Sequence, residues 1–196
     1  VRTSVDLSKV INQVTGGGTT INFENVDGTI STAALSLKGD VNANMLIGGL
    51  GNDTIIGGGG ADTIMGNGGD DTITYDAAAT LIDGGAGYDT LIVAAGTVVD
   101  LNNAVDQILG DAGITRGFEN IAIAYSGPNI MNGDANANII QGTVGPDRID
   151  GMGGSDSIYG NAGNDIIVYD ALDTILDGGA DIDTLLFSGS TAVTAN

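Results

Sequence analysis

Gly48 to Thr74 reads GGLGNDTII, GGGGADTIM, GNGGDDTIT, three nine-residue units without a gap between them. Each opens on glycine, carries Asp sixth (Asp53, Asp62, Asp71) and places an aliphatic residue eighth (Ile55, Ile64, Ile73). Clustered glycines admit positive φ and close backbone approach, so Gly-Gly-x-Gly specifies a tight turn. The three residues after each Asp (54–56, 63–65, 72–74) are β-branched or aliphatic and suit a short strand with its middle side chain inward. A turn plus a short strand is half a coil, and two units complete one coil of a parallel β-solenoid. Turns on one edge then come from alternate units. Asp53 is expected to stack on Asp71, and Asp62 on Asn44 of the degenerate unit at 39–47.

Stacked carboxylates repel one another unless a cation lies between them. A hard cation takes roughly 6 to 8 oxygen ligands, and glycine turns present carbonyls beside each carboxylate; calcium suits such a site better than magnesium, which demands stricter geometry. The pattern GGxGxDxUx, with U aliphatic, resembles the RTX, or haemolysin-type calcium-binding, nonapeptide. Units 48–56, 57–65 and 84–92 (GGAGYDTLI) match it at every fixed position. The resemblance implies an all-β fold, a right-handed parallel β-roll with several Ca2+ ions along both edges.

The candidate metal-ligating side chains are Asn44, Asp53, Asp62, Asp71, Asp89, Asn138, Asp147, Asp156, Asp165 and Asp183. The turn positions beside them are Gly49 and Gly51, Gly58 and Gly60, Asn67 and Gly69, and Gly85 and Gly87. In the second half they are Thr143 and Gly145, Met152 and Gly154, Asn161 and Gly163, and Gly179. Stacking predicts sites from Asp53 with Asp71 and Asp71 with Asp89, a weaker one from Asn44 with Asp62, and a gap above Asp62. The gap follows because YDAAATLID at 75–83 keeps the length, loses the glycine turn and puts Thr80 in the ligand slot.

The repeat itself repeats. Val99-Asp100-Leu101 answers Val5-Asp6-Leu7 and Gly133 answers Gly39, so 99 minus 5 and 133 minus 39 both give 94. Phe118-Glu119-Asn120 answers Phe23-Glu24-Asn25, and Thr174 in YDALDTILD answers Thr80. The division expected is a first module at 1–95 with its roll at about 39–92, a second at 96–188 with its roll at about 133–186, and the start of a third copy at 189–196. Before the first roll, a strand and a helical turn are expected within 5–14 and a strand within 20–26. A coiling unit without a ligand is expected at 28–36, with Leu35 inward and Ala33 in the ligand slot. Thr143, Pro146 and Met152 depart from consensus and predict weaker binding in the second module; Asp181, in place of the fourth-position glycine, puts the last turn in question. The Phe-Glu-Asn segments suit a structural role at the start of each roll, and Tyr75 and Tyr169 suit packing at an edge.

The 196-residue chain has a formal charge of -20, from 5 basic against 25 acidic residues, and only Glu24 and Glu119 are Glu. Such a charge disfavours nucleic acid and anionic membranes as partners. No apolar run approaches the roughly 18 residues of a membrane-spanning helix. With no Cys there is no disulfide or thiolate chemistry, and with no His neither a Ser-His-Asp arrangement nor an HExxH zinc site. The carboxylates lie in periodic rows rather than as a distinct pair, which favours a module that is not an enzyme. Opening on Val1 without a basic-plus-apolar leader, the chain is expected to be a fragment of a longer protein. The RTX resemblance implies a bacterial type I-secreted, extracellular or cell-surface protein whose module folds on meeting calcium. The alternatives are a self-assembling S-layer or adhesion segment, and an accessory module of a secreted polysaccharide-modifying enzyme, protease or toxin. The expected partners are calcium and, beyond it, further copies or neighbouring domains of the parent protein.

Overall fold

The computed structural model describes residues 3–9, 23–94, 97–123 and 127–187. All regular structure among them is β: β1 (Thr3–Asp6), β2 (Asn25–Asp27), β3 (Leu35–Lys38), β4 (Met45–Ile47), β5 (Thr54–Ile56), β6 (Thr63–Gly68), β7 (Thr72–Thr74), β8 (Leu81–Ala86) and β9 (Thr90–Val93). The second half adds β10 (Val98–Asp100), β11 (Ile114–Arg116), β12 (Asn120–Ile123), β13 (Ile130–Asn132), β14 (Ile139–Gln141), β15 (Arg148–Asp150), β16 (Ser157–Tyr159), β17 (Ile166–Tyr169), β18 (Ile175–Asp177) and β19 (Thr184–Phe187). The helical turn expected within 5–14 and the third copy at 189–196 fall largely or wholly outside the described residues. No helix among the described residues is long and apolar enough to cross a membrane.

Within the blocks of nonapeptides, strands pair in parallel with partners 18 residues away, as in Thr54↔Thr72↔Thr90 and Thr63↔Leu81. The coil is thus two nonapeptides. Because the centre of each three-residue strand faces inward, equal side chains stack into rows: Leu37, Ile55, Ile73, Leu91, Ile121, Ile140 and Ile158 line one sheet and are all buried. Leu46, Ile64 and Ile82, and later Met131, Ile149 and Ile167, line the other face. Burial of one aliphatic side chain contributes about 1.5 to 3 kcal/mol, and here every coil adds two.

One face is a nine-stranded sheet in the order β1-β3-β5-β7-β9-β12-β14-β16-β18; the other is divided into β11-β8-β6-β4-β2 and β10-β13-β15-β17-β19. Moving the first-module strands β3, β5, β7 and β9 forward by 94 residues lands on β13, β15, β17 and β19, which lie in the opposite face. Successive modules therefore exchange faces. The long sheet crosses the junction where β12 lies on β9.

At that junction the modules interleave. After β9 the chain runs ahead to β10, which pairs with β13, then returns antiparallel through Ile108, bridged to Val99, before β11 lies on β8. Gln107 clasps the return. Its buried Nε2 donates to the carbonyls of Leu101 (3.2 Å) and Phe118 (2.9 Å), and its Oε1 accepts from Phe118 N–H (3.0 Å). Two strands of the expected second module, β11 and β12, thus lie on the first-module strands β8 and β9, while β10 stays in the later stack.

The strand expected within 20–26 is β2, whose Asn25 and Val26 fall in that span. The phase of the unit before Gly39 is corrected. Leu37, not Leu35, lies in register with Ile55, so the unit runs 30–38 and Leu35 rather than Ala33 holds the sixth position. Its backbone N–H accordingly donates to Asp53 Oδ1 at 2.7 Å.

Candidate metal centre

Each sixth-position residue sits just before a strand, so the coil carries one row on each edge. On the first edge the N–H of Asp53 donates to Asp71 Oδ1 (2.7 Å), that of Asp71 to Asp89 Oδ1 (2.8 Å), and that of Asp89 to Glu119 Oε2 (2.8 Å). Asn138 continues this edge, giving its side-chain N–H to the Glu119 carbonyl and its backbone N–H to Asp156 Oδ1 (2.9 Å). On the second edge Asn44 N–H donates to Asp62 Oδ1 (2.8 Å), and further along Asn129, Asp147 and Asp165 donate in turn to Asp147, Asp165 and Asp183. The expected stacking of alternate units is what the structure shows. Above Asp62 the next coil offers Thr80, whose N–H and hydroxyl both donate to the Asp62 carbonyl at 2.8 Å, so the row of carboxylates stops there.

One carboxylate oxygen is thereby occupied, and the fate of the other divides the turns into two kinds. Oδ2 of Asp62, Asp71, Asp89, Asp156 and Asp165 is buried without a hydrogen-bond partner. Asp53 Oδ2 accepts Gly49 N–H (2.7 Å), and Asp147 Oδ2 accepts Thr143 N–H (2.7 Å) and Oγ1 (3.1 Å). Turn conformation accounts for this. Second and fourth positions have positive φ in the open turns, as at Gly58 (96°), Gly60 (99°), Gly85 (110°) and Gly87 (147°). Gly49, Gly51, Thr143 and Gly145 are not among the residues with positive φ.

Asn67, Met152 and Asn161 take the left-handed conformation at φ 73°, 67° and 74°, and Asp181 does so at 81° despite lacking glycine's freedom. Asn and Asp tolerate this region, whereas Met carries a penalty of about 1 to 2 kcal/mol. Met152→Gly is therefore expected to stabilise the calcium-loaded protein by about 1 kcal/mol after allowing for the freer unfolded chain. An unchanged or lower denaturation midpoint would count against strain at this position.

Burial pushes the carboxyls of Asp71 and Asp156 up to about 6 and that of Asp89 up to about 7, and raises those of Asp62 and Asp165. Neighbouring carboxylates add to the rise, as Asp53 does at Asp71. A buried anion with an unpaired oxygen is costly without a compensating charge. Carbonyls stand close by: a Cβ added to Gly66 would collide with both Asp71 Oδ2 and the Gly84 carbonyl, and one added to Gly160 with Asp165 Oδ2 and the Gly178 carbonyl. Carboxylate and carbonyl oxygens meeting in a turn with no nitrogen or sulfur donor fit a hard cation such as calcium. Among the described residues no three acidic side chains gather at one point; each centre would draw on one or two carboxylates and backbone carbonyls.

Sequence reasoning gave Glu119 a structural role at the start of its roll, without its place at the end of the Asp row, and passed over Asn129 and Asp173. Asn129 was legible, since counting nine residues back from Gly133 gives a unit at 124–132 with Asn129 sixth and Met131 eighth. Asp173 stands where the first module has Ala79, and its own buried Oδ1 also lacks a partner. Tyr75 packs against the core and donates to Asp111 Oδ2 (2.8 Å), and the Tyr169 and Phe187 ring centroids are 5.0 Å apart, so both tyrosines pack as expected.

This architecture and its turns define a calcium-binding structural module of the parallel β-roll class. The sequence model of the RTX calcium-binding nonapeptide repeat (4 copies) matches residues 39–73 and 132–167, and the two blocks of repeats belong to that family. No curated protein matches the chain.

Proposed function

We propose that the chain is a calcium-triggered folding module of a secreted bacterial protein, with calcium held at the turns of Asp62, Asp71, Asp89, Asp156 and Asp165. The observation that carries this reading is the five buried, unpartnered Oδ2 atoms, each in a turn of the open kind. Calcium would supply the positive charge that these carboxylates lack. Without it, a net charge of -20 and 34 glycines oppose compaction through repulsion and chain entropy. Ions that bind only the folded chain stabilise it in proportion to the logarithm of their concentration over the dissociation constant. Extracellular calcium modules bind at about 10⁻⁴ to 10⁻³ M, so such sites stay empty in a calcium-poor cytoplasm and fill outside. That difference would let the chain cross an export channel unfolded and fold afterwards.

Far-ultraviolet circular dichroism during a calcium titration tests the switch, with magnesium as control. The expected result is a cooperative gain of β signal with calcium alone. Asp71→Ala should raise the calcium midpoint, because it removes an unpaired carboxylate and leaves the buried Asp53 N–H without its acceptor, a cost of about 1 to 3 kcal/mol. Asp53→Ala should move it less, since Gly49 already occupies the second oxygen of that carboxylate. Full β structure in chelator, indifferent to calcium, would overturn the reading.

A further inference from the structure

We propose that Asp173, which lies outside the nonapeptide pattern, shares one calcium ion with Asp156 and so closes a ligand row of the second module where the period breaks. This rests on the calcium reading above and adds to it a ligand that the repeat does not contain. The two modules part company at this place. Adding 94 to Asp62, Ala79 and Thr80 gives Asp156, Asp173 and Thr174, so an alanine in the first gap unit is answered by an aspartate in the second.

The two gap units are seated alike. The N–H groups of Thr80 and Leu81 donate to the Asp62 carbonyl, and those of Thr174 and Ile175 to the Asp156 carbonyl (2.8 and 3.2 Å), where β18 lies on β16. In both, the turn beneath lacks an oxygen that other turns have. A Cβ added to Gly66, Gly84 or Gly160 would meet a glycine carbonyl of the next coil as well as the carboxylate; one added to Gly57 or Gly151 meets first the carboxylate of Asp62 or Asp156 and then an isoleucine methyl. The units one coil on, 75–83 and 169–177, contain no glycine.

At the first gap the side chain in question is only the methyl of the buried Ala79. At the second, Asp173 brings a carboxylate to the same place. Its Oδ2 is held by Asp170 N–H (3.1 Å), and its Oδ1 is buried without a partner. Asp156 is fully buried; its Oδ1 accepts Asn138 N–H (2.9 Å), and its Oδ2 is likewise unpartnered. The two carboxyls stand within hydrogen-bonding range of each other, and the charge of Asp134 adds to the repulsion at Asp156. Ionised carboxylates offer only acceptors, so neither satisfies the other. A calcium ion about 2.3 to 2.6 Å from each oxygen bridges such a pair, and a second carboxylate tightens a calcium site. The second module, whose turns depart further from consensus, thus holds the stronger of the two gap sites.

The test is stopped-flow release of calcium from the loaded full chain into excess chromophoric chelator, with circular dichroism of each sample beforehand. Asp173→Asn keeps an acceptor for Asp170 N–H and should release one ion per chain about tenfold faster than wild type. Should it not fold, Asp173→Ala, carrying the first module's residue, takes its place with the same expected result. Ala79→Asp, which builds the pair against Asp62, should slow one ion by a similar factor. Release from a folded Asp173 variant at the wild-type rate overturns this proposal alone and marks the pair as two carboxyls sharing a proton, a role that the Asn amide can fill. A wild-type chain that neither takes up calcium nor gains β signal in it overturns the proposal together with the calcium reading.

Discussion

Acid should do part of calcium's work: the calcium-stripped chain is expected to gain β signal as pH falls from about 7.5 to about 4.5. Burial raises the carboxyls of Asp71 and Asp156 to about 6 and of Asp89 to about 7 in the folded chain, while an unfolded Asp titrates near its ordinary value of 3.8. Between those limits the folded state binds more protons than the unfolded one. Stability of the metal-free coil therefore rises as pH falls through 7 towards 4. The opposite sign holds for the exposed Asp27 and Asp40, held below the usual range by hydrogen bonds from Thr29 and Asn42 respectively. Their contribution is lost under still stronger acid, so the gain should peak and then decline. Calcium competes with the same protons, and its midpoint should rise as the solution is acidified. A stripped chain without β signal at every pH in this window would mean that unpaired charge in the turns is not what holds the metal-free chain open.

Gly66→Ala should lower stability by about 1 to 3 kcal/mol even in excess calcium, whereas Gly153→Ala should be nearly neutral, within about 0.5 kcal/mol. The two glycines occupy different positions of the nonapeptide and do different work. A Cβ on Gly66 would meet Asp71 Oδ2 and the Gly84 carbonyl closer than real atoms approach, so neighbouring coils must separate where the ion would sit. A Cβ on Gly153 would meet nothing within 4 Å, and its φ is not positive. Chemical denaturation of both variants in calcium gives the comparison. Equal stabilities would show that the first-position glycine serves turn formation rather than close stacking of the coils.

Much of this fold could be read from the chain because a solenoid turns sequence period into spatial neighbourhood. With two nine-residue units per coil, the residue stacked on Asp53 can only be Asp71, the inward row can only be the eighth positions, and Thr80 must interrupt the carboxylates. Period alone therefore determined the strands, the two edges and the core. The tertiary structure decided whatever breaks the period. The phase of the unit before Gly39 followed from the register of Leu37 on Ile55. The exchange of faces between modules, the return through Ile108 and the clasp of Gln107 depend on pairings that span a non-repeating insertion. The difference between closed turns at Asp53 and Asp147 and open turns at Asp71 and Asp165 lies in backbone φ, which near-identical Gly-rich letters do not encode. Glu119 was visible as one of two glutamates, but that it ends one row of aspartates and supports Asn138 in the next module emerged only once both rows were brought to the same edge.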